Sequence, residues 1–428
     1  EGICYCGLRL SISGVSLRGL AQTRLNLTEG RLLTDAGNEV IHPYLGWIHN
    51  PELSPPVEIN GREIHVNRLG LRDDGETLYK RNGGEFLLGI AGGSVAANLS
   101  WDAEEILCEA LKAHPRLAGR TVRVVRMATP GYKQPQQLML LNYLLALGGE
   151  FDAVVNIDGF NETSLTIQEN VLQQTAMAYP RSWHARTLPL MDPRTSGDAY
   201  RLLELRARRQ RMAHDLNASW LRWSTTMNLI WLYRDQQAVS ELADLAIKVH
   251  DQRRTSFQNH GPKESFEDRA AMIEEVVAVW QRCSQQMHNL CAANDTIYLH
   301  VLQPNQYVPD SKVLTEIELD VAYDEKEGSC EVVRETFPLL IERGRALSAA
   351  GVEFSDQTAV FRDVEETMYV DPWCHFNQQG NEILLSHPDI REPVKVRYAW
   401  ADNPEAVLYN GAGLPASPFQ AEVAQGRQ

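Results

Sequence analysis

An apolar run, Phe86-Leu-Leu-Gly-Ile-Ala91, breaks into Gly92-Gly93-Ser94, and this stretch limits what the rest of the chain can become. A run with no polar face suits a strand buried on both sides, the habit of parallel sheets. Two glycines then allow a sharp turn free of Cβ clashes. Helical spacing resumes over 101–113, where Ala103, Ile106, Leu107, Ala110 and Leu111 share one face. Ser94 is therefore expected at a strand-to-helix turn, beside free N–H groups and the positive end of a helix dipole. Taken alone, such a serine is most often an ordinary turn residue or a helix N-cap. Its distant neighbours have to decide.

The same alternation recurs downstream. The run 120–128 (RTVRVVRMA) reads as a second strand ending at Thr129-Pro130-Gly131-Tyr132, and a leucine-rich helix follows over 135–147. A third strand, 151–157, ends at Asp158-Gly159-Phe160-Asn161-Glu162. From 164 to 256 the alternation stops, and a loop over 179–197 leads into helical stretches at 202–212 and 238–250. This passage reads as an insertion, with a lid and an oligomer contact both open as roles. Trp220, Trp223 and Trp231 within it are expected to be packing residues. A helix over 266–290, a strand at 296–302, a helix over 332–350 and a short strand at 352–355 restore the pattern. A turn carrying Asp371 and His375 then runs into a last helix ending near Leu385.

Repeated β-α-β units predict an α/β fold with a parallel sheet of about five strands and helices on both faces. Ligands of such sheets gather beyond the carboxyl ends of the strands. Ser94, Gly131 and Asn161 each lie just past such an end. The chain divides on this reading into an N-terminal extension (1–85), two halves of the α/β unit (86–163 and 257–390), the helical insertion (164–256) and a C-terminal tail (391–428).

Bulk properties narrow the choices. With 428 residues, 43% hydrophobic and 23% charged, the chain reads as an ordinary globular protein. A formal charge of −15 argues against nucleic acid as a partner, since that affinity comes from neutralising phosphates. The basic run 201–211 carries leucines at helical spacing and suits a helix with a solvated face. Seven cysteines lack zinc-site spacing: Cys4 and Cys6 form a lone pair, and Cys283 and Cys291 stand well apart. His42, His49 and His65, isolated in turns, are read as polar surface rather than metal ligands. No stretch is apolar enough to cross a bilayer. The first residues, EGICYCGLRL, show neither an initiator Met nor a leader pattern, as in a trimmed or processed chain. Localisation stays open, with an extracytoplasmic setting (periplasmic, or tethered through a removed N-terminus) slightly favoured over the cytoplasm.

The ordered set Gly92-Gly93-Ser94, Pro130-Gly131-Tyr132, Asp158-Gly159-Phe160-Asn161-Glu162 and Asp371-Pro-Trp-Cys-His375-Phe-Asn377 resembles the four blocks of the SGNH (GDSL-like) hydrolases. The segments HPYLGW (42–47) and NRLGLR (67–72) are similar to the N-terminal extension of one bacterial branch of that family. The resemblance spans roughly 43–385, with the insertion outside it, and implies a flavodoxin-like α/β/α sandwich. It also implies Ser94 as nucleophile, His375 as base and Asp371 as the carboxylate that orients the imidazole. The N–H groups of Ser94 and Gly131 and the amide of Asn161 would form an oxyanion hole. A serine esterase acting on a small-molecule or glycan O-acyl ester, short-chain such as acetyl, is the activity implied, with no metal or organic cofactor. Acyl transfer by the same residues and a non-catalytic binding module are the alternatives.

Two features depart from the family pattern. Gly93 stands where aspartate is usual, and Asp371 and His375 are four residues apart rather than three, so Asp363 competes with Asp371 as the orienting carboxylate. Each residue also has a structural reading: Asn161 as a turn residue or glycosylation sequon, His375 as a packed histidine, Cys374 as an apolar filler.

Overall fold

The structure, a computed structural model, describes residues 17–28, 38–385 except 53, 60–61, 74, 76–77, 113, 118, 188–192 and 254–256, and 395–398 and 419–422. Cys4 and Cys6 lie outside these residues. Helix α1 (Leu17–Thr28) is followed by two antiparallel hairpins. One pairs β1 (Glu39–His42) with β2 (Gly46–His49), the other β3 (Val57–Ile59) with β4 (Arg62–Ile64). Trp47 on β2 is fully buried, its ring edge-on to Tyr132 at 5.0 Å, and its carbonyl accepts the Tyr132 hydroxyl at 2.5 Å. The first hairpin is thereby fastened to the loop that carries Gly131.

Five strands form the central sheet: β5 (Glu85–Gly92), β6 (Thr121–Arg126), β7 (Ala153–Asp158), β8 (Ile297–Leu302) and β9 (Glu353–Asp356). All four pairings are parallel, in the spatial order β6-β5-β7-β8-β9. Counted from the first sheet strand this is 2-1-3-4-5, consistent with a flavodoxin-like α/β/α arrangement. The core strands are apolar because helices cover both their faces: Leu87, Leu88, Ile90, Val154 and Ile157 are all buried. Register aligns the strand ends, with Gly92 opposite Ile157, Asp158 opposite Leu302, and Leu302 opposite Asp356.

The helices around the sheet are α2 (Ser94–Asp102), α3 (Glu104–Lys112), α4 (Gln136–Ala146), α7 (Arg269–Ala293) and α9 (Gly328–Ala349); α8 (Glu316–Val321) and α10 (Gln378–Leu385), the latter packed on α2, lie outside them, and α5 and α6 are given below. The single helix expected over 101–113 is two helices, and the first begins at Ser94 itself. Residues Asn161–Val171 form a π-helix packed on α7 and α9, inside the layer that covers the sheet. Beyond it, α5 (Pro193–Ala218) and α6 (Thr225–Arg253) form a long antiparallel pair against which α1 packs. Leu20, Ala213, Leu216 and Trp231 make a second, smaller core there.

The three insertion tryptophans part company, and the packing expectation is corrected for two of them. Trp231 is buried in that second core, whereas Trp220 and Trp223 are 82% and 77% exposed. They sit on the 3₁₀ turn (Trp220–Trp223) joining α5 to α6, at the exposed end of that helix pair. The N-terminal histidines have local partners. His42 Nδ1 accepts the N–H of Leu45 at 3.1 Å, and His65 is exposed beside Glu63. Burial, helped by Arg72 and Arg186, lowers His49 to about 4. Among the described residues no group of three or more His, Cys, Asp or Glu is placed to hold a metal. The described C-terminal strands β10 (Lys395–Tyr398) and β11 (Phe419–Glu422) pair with each other.

Strand β5, buried between β6 and β7, tests the packing argument. Ile90→Ala should cost about 2–5 kcal/mol, the range for truncating a buried aliphatic side chain. Urea unfolding should show a lower midpoint with an unchanged slope.

Candidate active site

Ser94 is the first helical residue after β5, and Gly93, not Ser94, is the N-cap. The N-cap role open to Ser94 from sequence is thus taken by its neighbour, and its hydroxyl is left for another partner. That partner is His375, whose Nε2 lies 2.6 Å from Ser94 Oγ across 281 residues of chain. On the far side of the ring, His375 Nδ1 lies 2.6 Å from Asp371 Oδ2. Of the two candidate carboxylates, Asp371 is thus the one seated on the ring, while Asp363 is exposed to solvent.

The four-residue spacing is absorbed within the turn. Cys374 adopts a left-handed backbone (φ 63°), and Asp371 Oδ1 accepts the N–H of Trp373 at 2.9 Å and, more weakly, that of His375 at 3.4 Å. The carboxylate thus caps its own loop with one oxygen and holds the imidazole with the other. Burial alone would raise Asp371, but its hydrogen bond to His375, the His375 charge and the two N–H groups outweigh it and hold the carboxyl below its usual range. Cys374 is buried, accepts Gln303 Nε2 at 3.0 Å, and burial drives its thiol well above the usual value, the state of an inert filler.

The other strand ends converge on Ser94. The N–H of Thr129 bonds the carbonyl of Gly92 at 3.2 Å, which binds the Gly131 loop to the serine turn. Asn161 Nδ2 donates to the carbonyl of Tyr132 at 2.8 Å. Among the described residues, the N–H groups of Ser94 and Gly131 have no internal acceptor. Gly92 and Gly93 are required for this closeness. Gly92 has φ 145°, and a Cβ there would stand 2.2 Å from the Ile157 carbonyl oxygen. A Cβ on Gly93 would stand 2.3 Å from Asn161 Nδ2. Any side chain at 93, aspartate included, competes with that amide for one space.

Three buried carboxyl groups to which the sequence reading gave no role, Glu162, Asp158 and Glu318, hold these loops. Glu162 accepts the N–H of Gly159 at 2.7 Å, the N–H of Gln134 at 3.1 Å and Gln137 Nε2 at 2.8 Å, tying the Asn161 turn to the loop after Gly131. Burial, with Asp158 adding, pushes its carboxyl up to about 8. Asp158 in turn accepts Trp280 Nε1 at 2.6 Å and Asn156 Nδ2 at 2.7 Å, and lies 2.8 Å from His300 Nε2. Glu318 accepts the N–H groups of Met368 and Tyr369 at 2.8 and 3.0 Å, and so anchors the strand-like approach to Asp371. Its other oxygen faces Lys312 Nζ at 3.2 Å, with neither side chain reaching solvent. The signal for Glu318 was present: Thr315-x-x-Glu318 is a capping box, and both of its hydrogen bonds form. Glu162 had no signal beyond standing next to Asn161.

A hydroxyl hydrogen-bonded to an imidazole that is itself held by a carboxylate, beside free N–H donors, can lose its proton and attack an electrophilic carbon. No protein-family model matches the chain, and no curated protein matches it either.

Two substitutions test how the site is held. Gly93→Asp should displace the Asn161 amide and slow fluorophosphonate labelling of Ser94 by at least about tenfold. Glu318→Gln should leave Lys312 buried without its counter-charge and cost about 3–5 kcal/mol in chemical denaturation.

Proposed function

We propose that this protein is a serine ester hydrolase of SGNH (GDSL-like) type, cleaving an O-acyl ester through an acyl-enzyme. The observation that carries the reading is the line Ser94 Oγ, His375 Nε2, His375 Nδ1, Asp371 Oδ2, with 2.6 Å at each of its two hydrogen bonds. Ser94 Oγ attacks the ester carbonyl carbon as His375 takes its proton, giving a tetrahedral intermediate. Its oxyanion is received by the N–H groups of Ser94 and Gly131 and the amide of Asn161. Collapse breaks the bond to the alcohol oxygen, which leaves with the proton from His375. Water, deprotonated by the same imidazole, then attacks the acyl-enzyme and frees the acid and Ser94. Asp371 keeps Nδ1 protonated, so that Nε2 faces the serine as a base, and stabilises the imidazolium.

The four-residue Asp371–His375 spacing is no argument for a non-catalytic module, since the left-handed Cys374 accompanies a carboxylate seated 2.6 Å from the ring. Hydrolysis and acyl transfer share every residue named above, and only the acceptor alcohol differs.

Ser94→Ala should abolish fluorophosphonate labelling and release of p-nitrophenol from a short-chain ester. Asn161→Ala should keep the labelling site but lower kcat by about 10²–10³, the scale of one oxyanion donor. A folded wild-type protein that is neither labelled nor active would sink the proposal. Product analysis with an added alcohol distinguishes transfer from hydrolysis.

A further inference from the structure

The 3₁₀ turn that joins α5 to α6 is fixed by hydrogen bonds from both helices and from α1, yet it turns two indoles outward. Ser219 Oγ accepts the N–H of Leu221 at 3.1 Å, and Leu221 packs inward on the second core. Asn228, buried on α6, donates its Nδ2 to the carbonyls of Arg222 and Ser224 at 2.9 and 2.7 Å. Arg24 of α1, also buried, reaches Asn217 Oδ1 through Nε at 2.9 Å and Asn228 Oδ1 through Nη1. Arg222 Nη1 donates to the Asn217 carbonyl at 3.1 Å, and its guanidinium lies 5.4 Å from the Trp223 ring centre. Side chains three apart on a 3₁₀ helix eclipse one another, so Trp220 and Trp223 project on the same side of a rigid turn.

The same end of the helix pair is basic within an acidic chain. Between 206 and 235 stand six arginines against two carboxylates, Asp215 and Asp235, while the whole chain carries −15. Asp235 is held by Arg209, at 2.7 and 3.0 Å. Arg206, Arg208, Arg211, Arg222 and Arg234 are exposed, against Asp215 as the one exposed carboxylate of this stretch. At the opposite end of the pair the charges are matched: Arg201 meets Glu241, and Lys248 meets Asp198. At about 1.5 Å per residue, Arg208, Arg211 and Arg234 lie within about 15 Å of the turn along their helices. Ile230 and Tyr233, three apart on α6 and also exposed, extend the apolar and aromatic surface from the turn.

Exposed indoles set among unmatched arginines suit a surface that is apolar just below and negative on top. The headgroup layer of an anionic bilayer is such a surface: it takes Trp and Tyr rings at its apolar boundary and draws arginines to its phosphates. A nucleic-acid duplex would meet the arginines but offers no apolar layer for two indoles. The net acidic remainder of the chain is repelled by anionic lipid, which leaves this end as the one that can approach. We infer that the α5–α6 turn docks the protein on an anionic bilayer surface. Trp220 and Trp223 enter the headgroup layer, and Arg208, Arg211, Arg222 and Arg234 face its phosphates. Docking of this kind needs nothing from Ser94, and either can fail alone.

The test sediments the full chain with large vesicles of phosphatidylcholine, with and without about one-third phosphatidylglycerol. Binding is expected on the phosphatidylglycerol vesicles at about 0.1 M salt. It should weaken at least about tenfold at about 1 M, where the screening length falls to roughly 3 Å. The double variant Trp220→Ala/Trp223→Ala should lower the partition coefficient by about tenfold or more. The triple variant Arg208→Gln/Arg211→Gln/Arg234→Gln should lower it by a similar factor. All five side chains are exposed, so the variants should fold, and thermal melts verify it. Brominated lipid should quench Trp emission of the wild type, and the double Trp variant should lose most of that quenching. Binding that is absent, equal on vesicles without phosphatidylglycerol, or unchanged in the double Trp variant overturns the inference. So does a wild-type dimer in sedimentation velocity that the double Trp variant loses, because the turn then belongs to a second copy of the chain.

Discussion

The candidate site hangs from the pairing of β5 with β7. These are adjacent parallel strands whose following helices depart on opposite faces of the sheet, so a crevice opens between their carboxyl ends. Gly92 opposite Ile157 brings the serine turn and the asparagine turn side by side. A slip of one residue in that register would reverse every side chain on one strand and part Ser94 from Asn161 by a strand repeat. The buried apolar set on β5 and β7 forbids the slip, because it would carry polar groups such as Asn156 and Asp158 across to the wrong face.

That polar layer beneath the strand ends is costly, and the structure offsets much of the cost by hydrogen bonds to its two carboxyl groups, although Asn156 Oδ1 is buried without a partner. Asp158 has partners in Trp280, Asn156 and His300, and His300 passes the chain on to Ser284 at 2.7 Å. Glu162 collects three donors, from the turn after β7, the loop after Gly131 and the start of α4. A buried carboxylate with fixed donors works as a clamp: it tolerates neither a missing N–H nor a displaced one. Rigidity of this kind suits a site whose donors must already point at a charge before that charge develops.

Strand-to-glycine transitions were legible in the sequence because each combines two strong local signals, a continuous apolar run and a residue that tolerates unusual backbone angles. The five sheet strands and most covering helices follow from those signals within a few residues at each end. What was not legible depends on contacts far apart in sequence. Ser94 starts a helix that periodicity places later, because 94–100 has no polar face against which to read a period and is covered on several sides. The π-helix after Asn161 follows from packing on α7 and α9, elements more than a hundred residues away. The exposure of Trp220 and Trp223 turns on which residues form a connector, and helical spacing carries no information about that.

The Asp371–His375 turn shows how a departure in spacing resolves physically. Counting residues compares positions along the chain, but the imidazole responds only to where an oxygen stands. A left-handed Cys374 shortens the path between the two side chains, and buried Cys374 packing and the Gln303 contact hold that conformation. Glu318 fixes the segment that enters the turn through Met368 and Tyr369, and the Asn381 amide, bonded to Asp102 at 2.8 Å, fixes the helix that leaves it against α2. Because α2 begins with Ser94, the serine and the histidine are referenced to the same helix from its two ends. Their 2.6 Å separation thus rests on helix packing and on the held turn together, and this is how the turn can deliver the ring to the hydroxyl.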